Sequence, residues 1–506
     1  MKWLLPSTLA AIVTLTGCAR VPSFPAAPMT RTLSGTAEVA RAYDTDGSGR
    51  SDYIQKLAPP GKLDSGRIVE LQYDSDEDGR IEHTIVLNRI KPPRPHVILM
   101  LDGIPYRLVD EYFRAGGLRL FYPPGKLISC FPSMTDLAFA EYFHSPPPAG
   151  WESEYFDPAR NRIAGGSSEY LSGQNEPWTA HLTYRAGFFT DALAYLWPRE
   201  TFQRELRQAK EKIDRALAQR PPPDKPIYAY FVSTAAMGTR LGRDGYLEIL
   251  KQIDRLCEQL VFENRGRIQL SLLADHGHTL TPAKRISLNR YLKARGYRPR
   301  EKIEGPRDVA IVEFGLVTYA AIGTQDPESV ATEILKLPGT RLAIYPVGEK
   351  IIVRDAAGRA EISKMTLPEK KNHFRYRVLR GDPLNLQPIL KTLQKTGKVD
   401  ADGFVEARAL LDATADHVFP DPLFRIWRGF HGLARSAPNL AVTFDDRHCH
   451  GSAFFSAFCT VASTHGSLNQ ANSAAFIMTT RIPAPGHLRL SEARKFLEKN
   501  TRIKTK

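Results

Sequence analysis

The 506-residue sequence has no long block of lysine or arginine, no transmembrane-length apolar run, and only five cysteines. The first absence matters because the formal charge is +14. Spread along the chain, that charge favours adhesion to anionic surfaces or attraction of anionic substrates over sequence-specific reading of nucleic acid. The second leaves Leu4 to Leu15, broken by Pro6, Ser7, Thr8 and Thr14, as a signal segment rather than a spanning anchor. Apolar residues make up 42% of the chain, which permits a sizeable core and argues against global disorder. The length allows two to four domains, or one large α/β domain with insertions.

Lys2 gives the signal segment its positive start, and Leu15-Thr16-Gly17-Cys18 ends it. That ending resembles a bacterial lipobox, which implies removal of residues 1–17 and lipidation of Cys18. Ala19 rather than Asp follows, as in lipoproteins of the Gram-negative outer membrane. The implied location is the cell envelope, lipid-anchored, facing the periplasm or exterior. Residues 18–36, rich in Pro, Ala, Ser and Thr, read as a tether. Cys130, Cys257, Cys449 and Cys459 remain, and export permits disulfides. Four cysteines allow three pairings; Cys449 and Cys459 are closest in sequence.

An acidic repeat occupies residues 37–90. Asp44, Asp46, Ser48 and Asp52 recur thirty residues on as Asp74, Asp76, Asp78 and Glu82, with Gly49 and Gly79 at the sixth position. Calcium takes six to eight oxygens on a sharply turned loop, and this spacing supplies several. The twelfth position holds Gln55 and Ile85 rather than Glu, so these resemble calcium loops without being full EF-hands. Residues 84–87 read as a strand. Lys91-Pro92-Pro93-Arg94-Pro95 then marks a domain boundary.

Five pieces follow in order. An apolar run from His96 ends in Asp102-Gly103, as a buried parallel strand would at the edge where ligands bind. A short helix is expected near 107–113. Leu127 to Pro132 leads into Ser133-Met134-Thr135-Asp136, where a hydroxyl, Ser133 or Thr135, meets a helix N-terminus suited to phosphate. Plain N-capping by Ser133 is the simpler reading. A strand over 226–234 runs into Ala235-Ala236-Met237-Gly238-Thr239, with a helix expected from about Tyr246 to Phe262. A strand over 269–274 ends in Asp275-His276-Gly277-His278. Last comes Ser463-Thr464-His465-Gly466, then a strand over 474–480.

Taken in order, these pieces resemble the alkaline phosphatase superfamily, in its branch of type I phosphodiesterases and nucleotide pyrophosphatases. The resemblance spans roughly 96–290 and 455–480. It implies an α/β doubly wound sheet over 96–300 and 420–485, with a small α/β cap inserted at 301–419. It further implies Thr135 as nucleophile, in a metal shell of Asp102, Thr135, Asp275 and His276. His465 would serve a second ion. One or two divalent transition ions are expected, zinc above all, with a phosphorylated small molecule or envelope component as substrate.

The sequence departs from that pattern in one place. The other ligands of the second ion should stand at 235 and 239, where the chain has Ala235 and Thr239. His278 is the first candidate replacement; His448, His450, Asp445 and Asp446 are others. The implied function is a metal-dependent phosphoric ester or diester hydrolase at the cell envelope. The alternative is a weak or inactive relative that serves as a binding or scaffold lipoprotein. A charged helix near 200–219 reads as a solvated face, Lys370-Lys371 as exposed basic surface, and 486–506 as a helix with a basic tail.

Overall fold

The apolar run from His96 has no polar side to offer water, so it can form only an interior strand. In the computed structural model His96–Leu101 is buried along its whole length. It lies between two parallel neighbours, Ile227–Phe231 and Gln269–Ala274. The sheet continues through Ala474–Thr479, Gly125–Ile128 and His487–Arg489. Ala474–Thr479 runs antiparallel to both its neighbours, so the sheet is mixed rather than wholly parallel. Helix Tyr106–Arg114 packs with Ser233–Glu263, and helix Thr135–Phe143 packs with the C-terminal helix Leu490–Thr501. The class is α/β, as expected. The structure describes residues 21–501 except 62–63, 91–93, 168–175, 188–189, 191–192, 220–222, 224 and 368–371. Cys18, the signal segment, Lys370-Lys371 and the start of the 91–95 boundary lie outside those residues.

The N-terminal segment is a five-stranded antiparallel meander in chain order, from Thr30–Ser34 to His83–Val86. Residues 21–36 are not a free tether. Phe24 is buried against Tyr43, Tyr53 and Phe262. Its carbonyl accepts from Arg255, and Ser23 N–H donates to Gln259 at 2.9 Å. One aromatic ring inside a Pro/Ala/Ser stretch gains enough burial to pin it.

A second, nine-stranded sheet runs from Arg298–Pro299 to Phe404–Glu406. Leu440–Phe444 inserts between Tyr319–Thr324 and Thr340–Val347 of that sheet. Strands outside 301–419 therefore complete it, and the cap sheet is wider than that range. The four cysteines inside the described residues are all buried free thiols.

Two helices differ from expectation. The helix expected from about 246 begins at Ser233 and bends at Gly242, where φ is 60° and ψ is −138°. Its early start is fixed from outside: buried Glu205 accepts the N–H groups of Val232 and Ser233, each at 3.1 Å. Glu205 belongs to Pro198–Leu217, the charged helix read as a solvated face. That helix in fact buries Phe202, Leu206, Ala209 and Ile213, so only one side of it meets water. Among the described residues no helix is long and apolar enough to cross a membrane.

Candidate metal and phosphoryl-transfer site

Leu101 is opposite Ala274 across the parallel ladder, so Asp102 and Asp275 leave adjacent strands at the same height. Gly103 turns the chain with φ +67°, and a Cβ there would stand 2.8 Å from the His278 ring. Only glycine meets both conditions. The turn lets Gly103 N–H donate to Asp275 Oδ1 at 3.0 Å, beside a second N–H from His276, also at 3.0 Å. Asp275 Oδ2, fully buried, has no donor.

Thr135 opens helix Thr135–Phe143, and its Oγ1 enters the same space. It lies 3.4 Å from Asp102 Oδ1 and 3.3 Å from His276 Nε2. Ser133 does not cap this helix; its hydroxyl donates to the Cys130 carbonyl at 3.1 Å, and Met134 holds the cap position without a side-chain bond.

His276 decides the electrostatics. Its Nδ1–H donates to the Gly277 carbonyl at 3.0 Å, which leaves Nε2 as the lone-pair nitrogen. Nε2 stands 3.3 Å from Asp275 Oδ2 and 3.6 Å from Asp102 Oδ1. Burial pulls the His276 pKa down to about 4, so the ring is neutral at neutral pH. Burial also raises the Asp275 carboxyl above its ordinary range. Ligand atoms of Asp102, Asp275 and His276 thus converge in one space at the floor of the cavity. Coulomb repulsion at that separation in a low-dielectric interior calls for a positive charge at the centre. Asp102, Asp275 and His276 offer ligand atoms within 4.8 Å of one another, and Thr135 adds a hydroxyl. The donor set fits one divalent cation of the zinc type.

The second site does not fit in the same way. His465 is half-buried, and its ring lies 3.9 Å from that of His276, nearly parallel at 13°. Its Nδ1–H donates to the Ser133 carbonyl at 2.8 Å, and burial holds its pKa at about 3. His278 bonds Ser463 Oγ through Nδ1 at 2.8 Å, and its Nε2 is buried without a partner. Ala235 and Thr239 line the cavity that holds Thr135 and His465. No group of three His, Cys, Asp or Glu among the described residues gathers around His465 or His278. His450 is no substitute: its nitrogens face the carbonyls of Ile286 and Val312. His448 pairs with Asp445 at 2.7 Å, and Asp446 takes the amide of Asn469. His448 and His450 both stand in a strand, His448–Gly451.

Solved structures similar to this chain include the following three. Human ectonucleotide pyrophosphatase/phosphodiesterase 5 is 10% identical, covering 82% of this chain and 96% of its own, with a TM-score of 0.45. The murine protein is 10% identical, with coverages of 81% and 95% and a TM-score of 0.42. Phosphonoacetate hydrolase from Sinorhizobium meliloti 1021, in complex with phosphonoformate, is 11% identical, with coverages of 84% and 98% and a TM-score of 0.42. No family model and no curated protein matches the sequence.

The cavity above the cluster holds about 230 Å³. Trp151, Trp178, Tyr195 and Tyr230 form aromatic walls, and Glu152 adds a carboxyl that burial raises to about 7. Two residues escaped the sequence reading. Tyr230 donates its hydroxyl to Asp102 Oδ2 at 2.6 Å, orienting that carboxylate. Arg425, buried, donates to the carbonyls of Pro420, Leu468 and Cys130 and to the hydroxyls of Ser133 and Ser473. It joins the loop that leads into Thr135 to the loop that follows His465. No local pattern marks either residue, since a tyrosine in a strand and an arginine in a helix are ordinary.

The acidic repeat separates into unlike halves. In the second loop Asp74, Asp76, Asp78 and Glu82 gather within 4.8 Å. In the first, Asp44 accepts three backbone N–H groups, from Gly47, Ser48 and Gly49. Asp52 accepts the N–H and hydroxyl of Thr45, and Asp46 and Ser48 bond within the turn.

Proposed function

We propose that this protein is a metal-dependent hydrolase of phosphoric esters or diesters, with Thr135 as nucleophile. The observation that carries the reading is the convergence of Asp102, Asp275 and His276 lone pairs around the Thr135 hydroxyl. Zinc held by those residues would supply Lewis-acid polarisation of a phosphoryl oxygen and a lowered pKa for the hydroxyl. The residues do the rest. Tyr230 and the Gly103 N–H orient the two carboxylates. The N–H groups at the start of helix Thr135–Phe143 offer donors and a positive dipole end to phosphoryl oxygens. Thr135 Oγ bonds to phosphorus while the ester oxygen leaves with a proton; water then cleaves the threonyl phosphate and restores the hydroxyl.

A second reading is favoured by one observation, the Ala235 and Thr239 side chains beside His465. On that reading the protein keeps a single ion, binds phosphorylated ligands, and turns over weakly or not at all. Metal counting with turnover on aryl phosphate mono- and diesters separates the two. Hydrolysis that disappears in Thr135→Ala supports the enzyme. Equal inactivity of wild type and variant, with zinc, manganese and magnesium each supplied, supports the binding protein. We further propose lipid anchoring through Cys18 at the outer membrane; Cys18→Ala should release the protein into the soluble envelope fraction.

A further inference from the structure

The two acidic loops share a sequence pattern but differ at the first carboxylate, Asp44 in one and Asp74 in the other. In the first, every carboxylate is engaged by the loop itself: Asp44 by three N–H groups, Asp52 by both donors of Thr45, Asp46 by the Ser48 N–H. In the second, Glu82, Asp76 and Asp78 likewise accept loop N–H groups, from Ser75, Asp78 and Arg80, but Asp74 receives only one, from Gly79 at 3.0 Å to Oδ2. Its other oxygen, Oδ1, is buried with no partner, and the residue is only 5% exposed. A buried carboxylate oxygen without a donor is costly unless a cation meets it. Asp76, Asp78 and Glu82 bring ligand oxygens within 4.8 Å of it and of one another. All the donors are carboxylates, the chemistry of a hard cation.

We propose that the second loop binds one calcium ion through Asp74, Asp76, Asp78 and Glu82, and that the first loop binds none of its own. Ile85, at the twelfth position, lies in strand His83–Val86, so the bidentate ligand of an EF-hand is absent and backbone or water oxygens must complete the shell. The affinity therefore falls in the weak range of extracellular modules, about 10⁻⁴–10⁻³ M.

The ion acts on more than its loop. Asp74 follows Tyr73, whose hydroxyl donates to the Phe262 carbonyl at 3.2 Å and whose ring stacks on Phe262 at 5.7 Å. The Arg265 guanidinium lies 5.0 Å from the same ring. Phe262 is in the last turn of Ser233–Glu263, the helix whose first turns line the cavity. Calcium at Asp74 fixes the segment that seats the N-terminal sheet on that helix.

The test is calorimetric titration of the full-length chain in detergent with calcium chloride alone, with thermal unfolding in parallel. Relative to wild type, Asp76→Ala should lose one bound calcium and the calcium-dependent rise in unfolding temperature. Asp74→Asn should do the same. Asp44→Ala should keep both. The proposal is overturned if wild type shows no binding up to about 10 mM, well beyond the weak class. It is equally overturned if Asp76→Ala binds as wild type does, or if Asp44→Ala also loses an ion. Asp76 is exposed, so its variant should fold. None of these readouts involves hydrolysis, and their failure leaves the phosphoester reading intact.

Discussion

At the scale of single residues, the arrangement makes Thr135, His276 and Arg425 separable. Thr135→Ala removes the nucleophile and leaves Asp102, Asp275 and His276 in place. Turnover should fall on the order of a thousandfold or more, with metal content unchanged by elemental analysis. His276→Ala should instead lose the metal, because two carboxylates remain without the nitrogen between them. Arg425→Met removes five hydrogen bonds from a dry site. At roughly 1 kcal/mol net each, stability should drop by several kcal/mol, read as a lowered denaturant midpoint. Asp102, Asp275, His276 and Thr135 were legible in sequence because each stands just beyond an apolar run, where side chains meet the ligand edge. Tyr230 and Arg425 were not. Tyr230 acts on Asp102 from 128 positions away, and Arg425 on Ser133 from 292.

At the scale of elements, the helix Ser233–Glu263 is the informative one. Ala235 and Thr239 are four apart, so they share a face, and that face lines the cavity with His465. The double variant Ala235→Asp, Thr239→His should therefore raise the metal count from one ion per chain to two, with faster hydrolysis of the same ester. An unchanged count would show that the face is misplaced for ligation. The same helix passes close to itself: a Cβ on Gly238 would lie 1.9 Å from the Tyr246 ring. Gly238→Ala should cost about 1–3 kcal/mol, visible as a lower unfolding temperature. Five of the six strands of the central sheet could be read from their apolar runs. The start of this helix could not, because Glu205 caps it from another element and Gly238 and Gly242 dilute the local helical signal. The tether was misread for the opposite reason: one buried ring, Phe24, outweighs a disordered-looking composition.

At the scale of the whole molecule, the N-terminal sheet is seated on buried acid. Glu258 lies beneath it with Asp254, Arg41 and Arg255 around it, and burial, then the Asp254 charge, raises its pKa to about 8. Asp254 is raised as well, chiefly by burial. The ordinary value for Glu is 4.5. Below that pH both folded and unfolded states hold the proton. Between 4.5 and about 8 the unfolded chain ionises while the folded one does not, so stability falls as pH rises and levels off above 8. One pKa unit corresponds to about 1.4 kcal/mol, so the loss is on the order of a few kcal/mol. Unfolding temperatures across pH 5 to 9 should show that decline, and Glu258→Gln should flatten it.

The pairing of Leu101 with Ala274 carries one last consequence. It works as a length standard for the cluster. Side chains on a strand alternate faces, so removing one residue from either strand would turn Asp102 or Asp275 to the opposite side and shift it by about 3.3 Å. Substitutions around the cavity, such as those at 235 and 239, alter what the site holds while its frame stands. A single insertion or deletion between His96 and Asp102 would take the frame away. The frame thus survives changed letters around the cavity but not changed spacing.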